Sequence, residues 1–505
     1  MAAERLFGEG ALRIRSIPPG AAFLKELARS LAAELDLAAN PDALAEAIIY
    51  VPNRRSARAL MLALFDASGG AALLPPDIRA MGDTDSGDPP PIAEQALAGA
   101  AMPLSKAKRI GALASLVRRY YLSVMGTELP PASALASARD LSHLLEQAAM
   151  SERADWTKLE GLAPDHVAQH WERSVDFLKI VTQFWPDWLE EQGARDPYAE
   201  SVRAAKAMAA HWQAAPPAGP VIIAGSTGAT PDGRILMRAA LGLSIGLVVL
   251  PGLDTALSPD QWDEVATSPG HPQSTLIRTL RALQLSPADV AGWPDVHPDG
   301  PAMARIRLIQ EALAPADATA DWRETLEALS SASGQPLEEF VGDGLSGLRV
   351  IETPDEASEA MAAALLLRET LATPGKTAAL VSPDAGLARR VSALLGRWGV
   401  DVPPSAPVPL GRTLAGSLIG LCARWAADPG DPAILAAVLK HPFVAGHLDT
   451  RLLDLHFLRG PRRWKSLEDL ARRIESLDAE ATYADYTLAD QVYCALQVRR
   501  LKALL

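Results

Sequence analysis

Cysteine is almost missing from this chain: Cys422 and Cys494 are the only two in 505 residues, and they stand far apart. That excludes a disulfide framework and a four-thiolate cluster, and it reads as two reduced core thiols of a cytoplasmic protein. Long hydrophobic runs are missing too. No stretch supplies the roughly 18 uncharged apolar residues of a membrane helix. The most apolar run, ALGLSIGLVVLPGL at 240–253, is short and interrupted by Gly and Pro. The first residues lack the basic segment and apolar core of a secretory signal, so the expected location is the cytoplasm, with no membrane partner. Positive charge is in deficit, with 48 Lys and Arg against 61 Asp and Glu and a formal charge of −13. A surface coated in basic residues is therefore excluded, although a local basic channel is not.

What is present is the material of a large globular protein. Hydrophobic residues make up 49% and charged residues 22%, too apolar for general disorder, and the length suits roughly two to four units. Only GDTDSGDPPP at 82–91 reads as a mobile loop. Residues 11–17 suit a short strand, followed by Leu24, Leu27, Leu31 and Leu35 at helical spacing. AIIYVP at 47–52 is a second strand, closed by Pro52 and Asn53 before a helix carrying Arg54, Arg55 and Arg58. This rhythm predicts an α/β opening with parallel pairing. From 104 to 214 the pattern is helical throughout and reads as an insertion. Strand-like runs return at PVIIAGSTG (220–228) and IGLVVLPGLD (245–254). After the Gly-rich VGDGLSG at 341–347, LRVIETP and KTAALVSP are expected as strands around the helix DEASEAMAAALLLRETLA. The chain then turns helical and charged.

The strand and turn at 13–23 have the layout of a phosphate-binding loop without its residues. Such a loop needs backbone amides to cradle phosphates, a Lys for the β and γ oxygens and a hydroxyl for Mg²⁺. Here Pro18, Pro19, Gly20 and Phe23 stand instead, Pro removes amide donors, and Lys25 is followed by Glu26. A plain strand-to-helix turn is the better reading. VIIAGSTG ends without a carboxylate, and Asp254 after the strand LVVL reads as a turn cap. Asn53, Arg54, Arg55 and Ser56 open a helix at the C-terminal end of a parallel strand, where open α/β sheets bind ligands. Two readings stand there: phosphate and base-edge contacts, or an N-capped helix with solvated arginines. Lys106, Lys108, Arg109, Arg118 and Arg119 read as a solvated face. His271-Pro272 and His441-Pro442 have no second ligand at metal spacing, and Glu190-Glu191 and Glu338-Glu339 lie on charged helical segments. No GxSxG, HExxH or Cys-His arrangement occurs. Trp171, Trp185, Trp188, Trp262 and Trp398 read as packing residues.

Several stretches taken together are more specific: IPPGAAFLKELA, YVPNRRSARAL, VIIAGSTGATPDGRILM, VVLPGLD followed by HPQSTLIRTL, TAALVSPDAGLARRVSALLGRWGV, and LKHPF. In this order and spacing they resemble the helicase-like part of the AddB family, the alphaproteobacterial-type subunit of the AddAB double-strand-break repair helicase-nuclease. The resemblance implies two RecA-like parallel-sheet domains of UvrD-like (superfamily 1) architecture with helical insertions. The domains would run over 1–103 and 215–345 for the first, interrupted by the insertion 104–214, and 346–438 for the second, with a further insertion beginning at 439–505. It also implies that Asn53, Arg54, Arg55 and Ser56 face the exiting single strand and take part in recognising a Chi-type sequence, with Thr227 and Arg79 as further contacts.

The implied partners are an AddA-like helicase-nuclease subunit and single-stranded and double-stranded DNA ends. An AddB chain is about twice as long as this one, so the resemblance implies a fragment. The iron-sulfur cluster, Mg²⁺ and nuclease activity of the family belong to the part that would follow, and no cofactor is expected here. The expected role is a non-catalytic DNA-handling scaffold. The alternatives are an ATP-dependent helicase with an unconventional nucleotide site, or a domain that only docks AddA.

Overall fold

The computed structural model describes residues 6–7, 13–70, 72–81, 104–150, 176–255, 257–315, 321–402, 408–445, 450–459, 464–476 and 488–504. The loop expected at 82–91 and Trp171 lie outside these residues. The chain divides into two compact units, Met1–Leu348 and Arg349–Leu505.

The first unit is built on a six-stranded sheet. Its strands are β1 (Ile14–Ile17), β2 (Ile48–Val51), β3 (Asp77–Ala80), β4 (Val221–Ala224), β5 (Gly246–Pro251) and β6 (Ala291–Gly292), in the order β3-β2-β4-β5-β1-β6. Every neighbouring pair is parallel. Parallel pairing demands crossover connections, and these cover both faces, so the central strands are unbroken apolar runs rather than alternating ones. Helices α1 (Phe23–Glu34) and α2 (Arg54–Ala67) cover one face. Their Leu27, Leu31, Leu60 and Leu64 pack on Ile49, Val51, Ile222, Leu247 and Val249, all inaccessible to solvent. Each such leucine contributes about 1.5–3 kcal/mol of burial.

Between β3 and β4 the described residues are helical: α3 (Lys106–Val124), α4 (Pro131–Met150), α5 (Trp185–Glu191) and α6 (Pro197–Ala214). Helices α3, α4 and α5 share a core of their own, with Leu113, Val117, Leu141 and Trp185. Helix α6 does not belong to that core. Its Ala205, Met208 and Trp212 pack on the second face of the sheet beside α7 (Pro231–Leu241), against Tyr50, Ile223 and Val248. The last helix read as insertion is thus a layer of the α/β sandwich. Helices α8 (Pro259–Thr267), α9 (Ser274–Ala282), α10 (Gly300–Ala312), α11 (Trp322–Ser333) and α12 (Leu337–Leu345) follow.

In the second unit, α13 (Glu356–Leu371) and α14 (Ala385–Arg397) form a hairpin closed by Ala360 and Ala364 against Val391 and Leu395. Helices α15 (Leu414–Ala427), α16 (Pro432–Leu439), α17 (Leu467–Glu475) and α18 (Leu488–Leu504) build a separate core around Leu435, Leu439, Leu470, Ile474 and the buried Cys494. Among the described residues of this unit, the expected second parallel sheet does not occur. LRVIETP and KTAALVSP carry no strand, and Val350 and Val381 stand 84% and 92% exposed. A strand needs a neighbour for its amides and carbonyls, and no backbone hydrogen bond joins 349–353 or 377–381 to a described segment. The apolar, β-branched pattern gave these segments the capacity to pair, but no strand among the described residues pairs with them.

Candidate functional site

The chain leaves β2 toward β3 at one edge of the sheet and leaves β4 toward β5 in the opposite direction. Between these two adjacent strands the connections diverge to opposite faces, which opens a crevice at their C-terminal ends, the usual ligand position in open parallel sheets. A cavity of about 550 Å³ lies there, walled by Pro52, Gly225, Ser226, Thr227 and Thr230 from the strand ends and by Lys106 of α3.

One wall leads into the Arg-rich turn. Asn53 caps α2, its Oδ1 accepting from the Ser56 amide at 2.9 Å and from the Ser56 hydroxyl at 3.2 Å. The amide and hydroxyl singled out in the sequence therefore serve each other, and the guanidiniums of Arg54 and Arg55 project as exposed groups. No acidic residue occupies the first turn of α2. Arg54 and Arg55 therefore stand at the positive end of the α2 dipole.

The opposite wall is the GSTG turn. Gly225 and Gly228 have φ of +76° and +66°, and a Cβ on Gly228 would lie 2.4 Å from Thr279 Cγ2. Thr279 donates its hydroxyl to the carbonyls of Thr227 (2.8 Å) and Gly228 (3.0 Å), and Arg234 donates to Gly228 O at 2.8 Å. Thr227 is thereby held half-buried on a fixed turn, and Thr230 caps α7 just beyond it. The N-terminus of α7, with Asp232 in its first turn, thus lines the crevice, and α2 begins just after the Pro52 wall.

The turn after β1 carries apolar groups, with Pro19 exposed and Phe23 half-buried. Pro19 packs on Gly252 at the end of β5, where a Cβ would lie 3.5 Å from its ring, and the Phe23 ring lies against Gly225, 3.3 Å from where a Cβ would stand. Ala22 caps α1 with no side-chain hydrogen bond, and Lys25 is exposed. Prolines and a phenyl ring offer no donors for phosphate oxygens.

Asp254, read as a turn cap, is buried, accepts from Gln310 Nε2 on α10 at its carboxylate, and donates its amide to Gln273 Oε1 at 3.1 Å. Gln273 also donates to Gly252 O at 2.9 Å, tying the end of β5 to the start of α9. The two His-Pro pairs share a local role. His271 Nδ1 accepts from the Gln273 amide at 3.1 Å, and His441 Nδ1 accepts from the Phe443 amide at 3.2 Å, so each imidazole stands in for a helix cap. With Nδ1 accepting, the neutral His441 carries its proton on Nε2, 3.0 Å from Ser417 Oγ. That pairing therefore gives Ser417 no general base.

Arg79 is not brought to the crevice. It lies in register with Tyr50 on β3, pairs with Asp77 at 2.8 Å through Nε, and shares a separate cavity of about 290 Å³ with Trp212 and His211. Burial pushes the Tyr50 hydroxyl up to about 12, against the lowering effect of the Arg79 guanidinium.

The basic set on α3 is also not one solvated face. Arg109 is 2% exposed and joins three helices: Nε donates to Asp196 Oδ2 at 2.8 Å, Nη1 donates to Ser142 O at 3.1 Å, and the guanidinium lies 5.0 Å over the Tyr198 ring. Arg118 pairs with Glu128 at 2.9 Å, while Lys108 and Arg119 remain exposed. Among the tryptophans, Trp185 stacks on Trp188 at 5.3 Å, and Trp398 lies under Arg368. Lys106 was missed as a member of the crevice, since its place there depends on the packing of α3 and not on any local motif.

No protein-family model matches this chain, and no curated protein is significantly similar to it.

Proposed function

We propose that the chain is a non-catalytic, helicase-like DNA-binding and scaffold subunit that handles an unwound strand during double-strand-break end processing, beside an AddA-like motor. The reading combines the AddB-like stretches of the sequence with one structural observation. The crevice at the β2–β4 switch point is walled by the strand ends and by Lys106, Glu146 and Asp232, the exposed Arg54 and Arg55 begin α2 just after its Pro52 wall, and the neighbouring β1 turn carries Pro19 and Phe23 in place of phosphate donors. Arginines at the sheet edge beside a nucleotide turn without phosphate donors suit strand capture without ATP turnover. In this reading the first unit is the RecA-like core of a superfamily 1 architecture, Asn53 and Ser56 shape the turn, Arg54 and Arg55 meet phosphates, and Thr227 lines the path. Arg79, held beside Tyr50, acts on the strand only if the path extends past β3.

The test is single-stranded DNA binding by fluorescence anisotropy across a salt series, wild type against Arg54→Glu/Arg55→Glu, with ATP hydrolysis measured on the same sample. The expected result is salt-sensitive binding with no turnover. The double variant should bind at least about tenfold more weakly, with a log–log salt slope shallower by about 0.7 per lost phosphate contact. Unchanged binding in the variant would sink the reading, as would ATP turnover by the wild type.

A further inference from the structure

Helices α6 and α7 lie side by side on the second face of the sheet, and their two ends meet different surroundings. Their N-terminal turns reach the crevice through Ser201 and Thr230. Between their C-terminal halves runs an open groove of about 750 Å³. Its floor is apolar: Trp212 and Leu243, 2% and 7% exposed, belong to the sheet core, and Ile235 packs against them. Its rim is cationic. Lys206 of α6 is exposed, with no ion pair or hydrogen bond among the described residues. Arg238, in the last turn of α7, is also exposed and donates Nη2 to a backbone carbonyl, Ala282 O, which leaves its charge uncompensated. No carboxylate stands among the described residues that line the groove. The only carboxylates within the two helices, Glu200 and Asp232, are buried near the N-terminal turns and held by Arg203 and Ser201. In a chain of formal charge −13, an apolar floor between two uncompensated cations stands against the general charge of the surface.

We propose that this groove docks an acidic amphipathic helix of a protein partner, its apolar face on Ile235 and the core beneath it, its carboxylates on Lys206 and Arg238. An apolar trough between two helices receives the apolar face of a third, and charge complementarity selects the sign of that helix's flanks. A nucleic-acid strand would find the two cations but no stacking platform, because Trp212 is 2% exposed and offers no open ring face. Helices α6 and α7 lead into β4 and β5, which are parallel, so their C-terminal carbonyls stand at the same end of the groove. The N-terminal turn of the partner helix belongs at that end, which sets it antiparallel to both. The proposal goes beyond the DNA-handling reading and uses no residue of the Asn53–Ser56 turn.

The experiment uses the full chain and two fluorescein-labelled synthetic helical peptides with the same leucine face, one flanked by glutamates and the other by lysines, followed by fluorescence anisotropy. The glutamate peptide should bind at least about tenfold more tightly than the lysine peptide, and a scrambled glutamate peptide, without an apolar face, should bind as weakly as the lysine one. Lys206→Glu/Arg238→Glu should reverse the order of the two peptides. Ala210→Trp, which places a bulky side chain on the exposed lip of the groove, should weaken the glutamate peptide about tenfold. Lys206→Glu alone and Ala210→Trp alter exposed positions, so their circular dichroism spectra and thermal midpoints should match wild type. Equal affinity for the two peptides, no binding of the glutamate peptide, or wild-type binding by both Lys206→Glu and Ala210→Trp would overturn the proposal. So would a single-stranded oligonucleotide that displaces the glutamate peptide and loses affinity in Lys206→Glu, since the groove would then be a nucleic-acid face. Arg54→Glu/Arg55→Glu should keep the peptide affinity of wild type, so this proposal and the strand-capture reading fail separately.

Discussion

The Arg109–Asp196 pair makes a demanding prediction. Its carboxylate is shared: Oδ2 takes Arg109 Nε and Trp185 Nε1, at 2.8 and 3.2 Å, while Oδ1 takes the Tyr198 amide at 3.1 Å and so caps α6. The side chains are 2% and 11% exposed. Removing the carboxylate in Asp196→Ala leaves a buried guanidinium with only Ser142 as hydrogen-bonding partner, which costs about 3–5 kcal/mol, and loses the cap, about 1 kcal/mol more. Arg109→Met should cost about as much as the pair alone. The double variant Arg109→Met/Asp196→Leu removes both charges together and should recover much of the loss, giving a coupling of at least about 2 kcal/mol. Urea unfolding followed by tryptophan fluorescence reads this through Trp185, which sits in the node itself. The loss should be the same at low and high salt, unlike that of Arg118→Ala, whose exposed pair is worth less than about 1 kcal/mol. Single variants that lose under about 1 kcal/mol, or a double variant that falls by the sum of the singles, would refute the account of α3, α4 and α6 as one tied body.

Other expectations follow from the same geometry. Gly228→Ala should destabilise the first unit by about 1–3 kcal/mol from its backbone conformation alone, with more from overlap with Thr279, seen as a lower thermal midpoint; an unchanged midpoint would mean the GSTG turn is loose. Burial lowers the His271 pKa below its ordinary 6.5, with the Asp254 carboxylate opposing. The folded state therefore prefers neutral imidazole. Its contribution is fully present above about pH 6.5 and is lost as the pH falls from there through the lowered value. His271→Ala should flatten the pH dependence of stability in that window, and an identical profile would contradict the burial assigned to this imidazole.

The central strands were legible because burial on both faces leaves a continuous apolar run, as in IIYV, VIIA and GLVVLP, with Gly or Pro beside it. The edge strands β3 and β6 were not, since DIRA is half polar and AG is two residues long. LRVIETP in the second unit has the composition of a strand, but pairing is a property of two segments, and composition describes one. The Asn53 cap was readable from spacing, while the burial of Arg109 was hidden because its acceptor lies 87 positions away at Asp196. Thr227 and the Asn53 turn were recognisable as ends of adjacent strands only after the sheet order placed β2 beside β4.

The apolar filling of the β1–α1 turn constrains what sequence change can do to this protein. A phosphate cradle there would need a backbone donor in place of Pro19, a small residue in place of Phe23, and a lysine and hydroxyl at the head of α1. Trimming Phe23 removes the ring that lies against Gly225, and replacing the exposed Pro19 alone supplies one donor without the others. No intermediate would bind nucleotide in return. The turn is therefore a one-way door in sequence space, shut by several missing groups at once rather than by the lack of any single residue, with Phe23 the position held by its contact with Gly225.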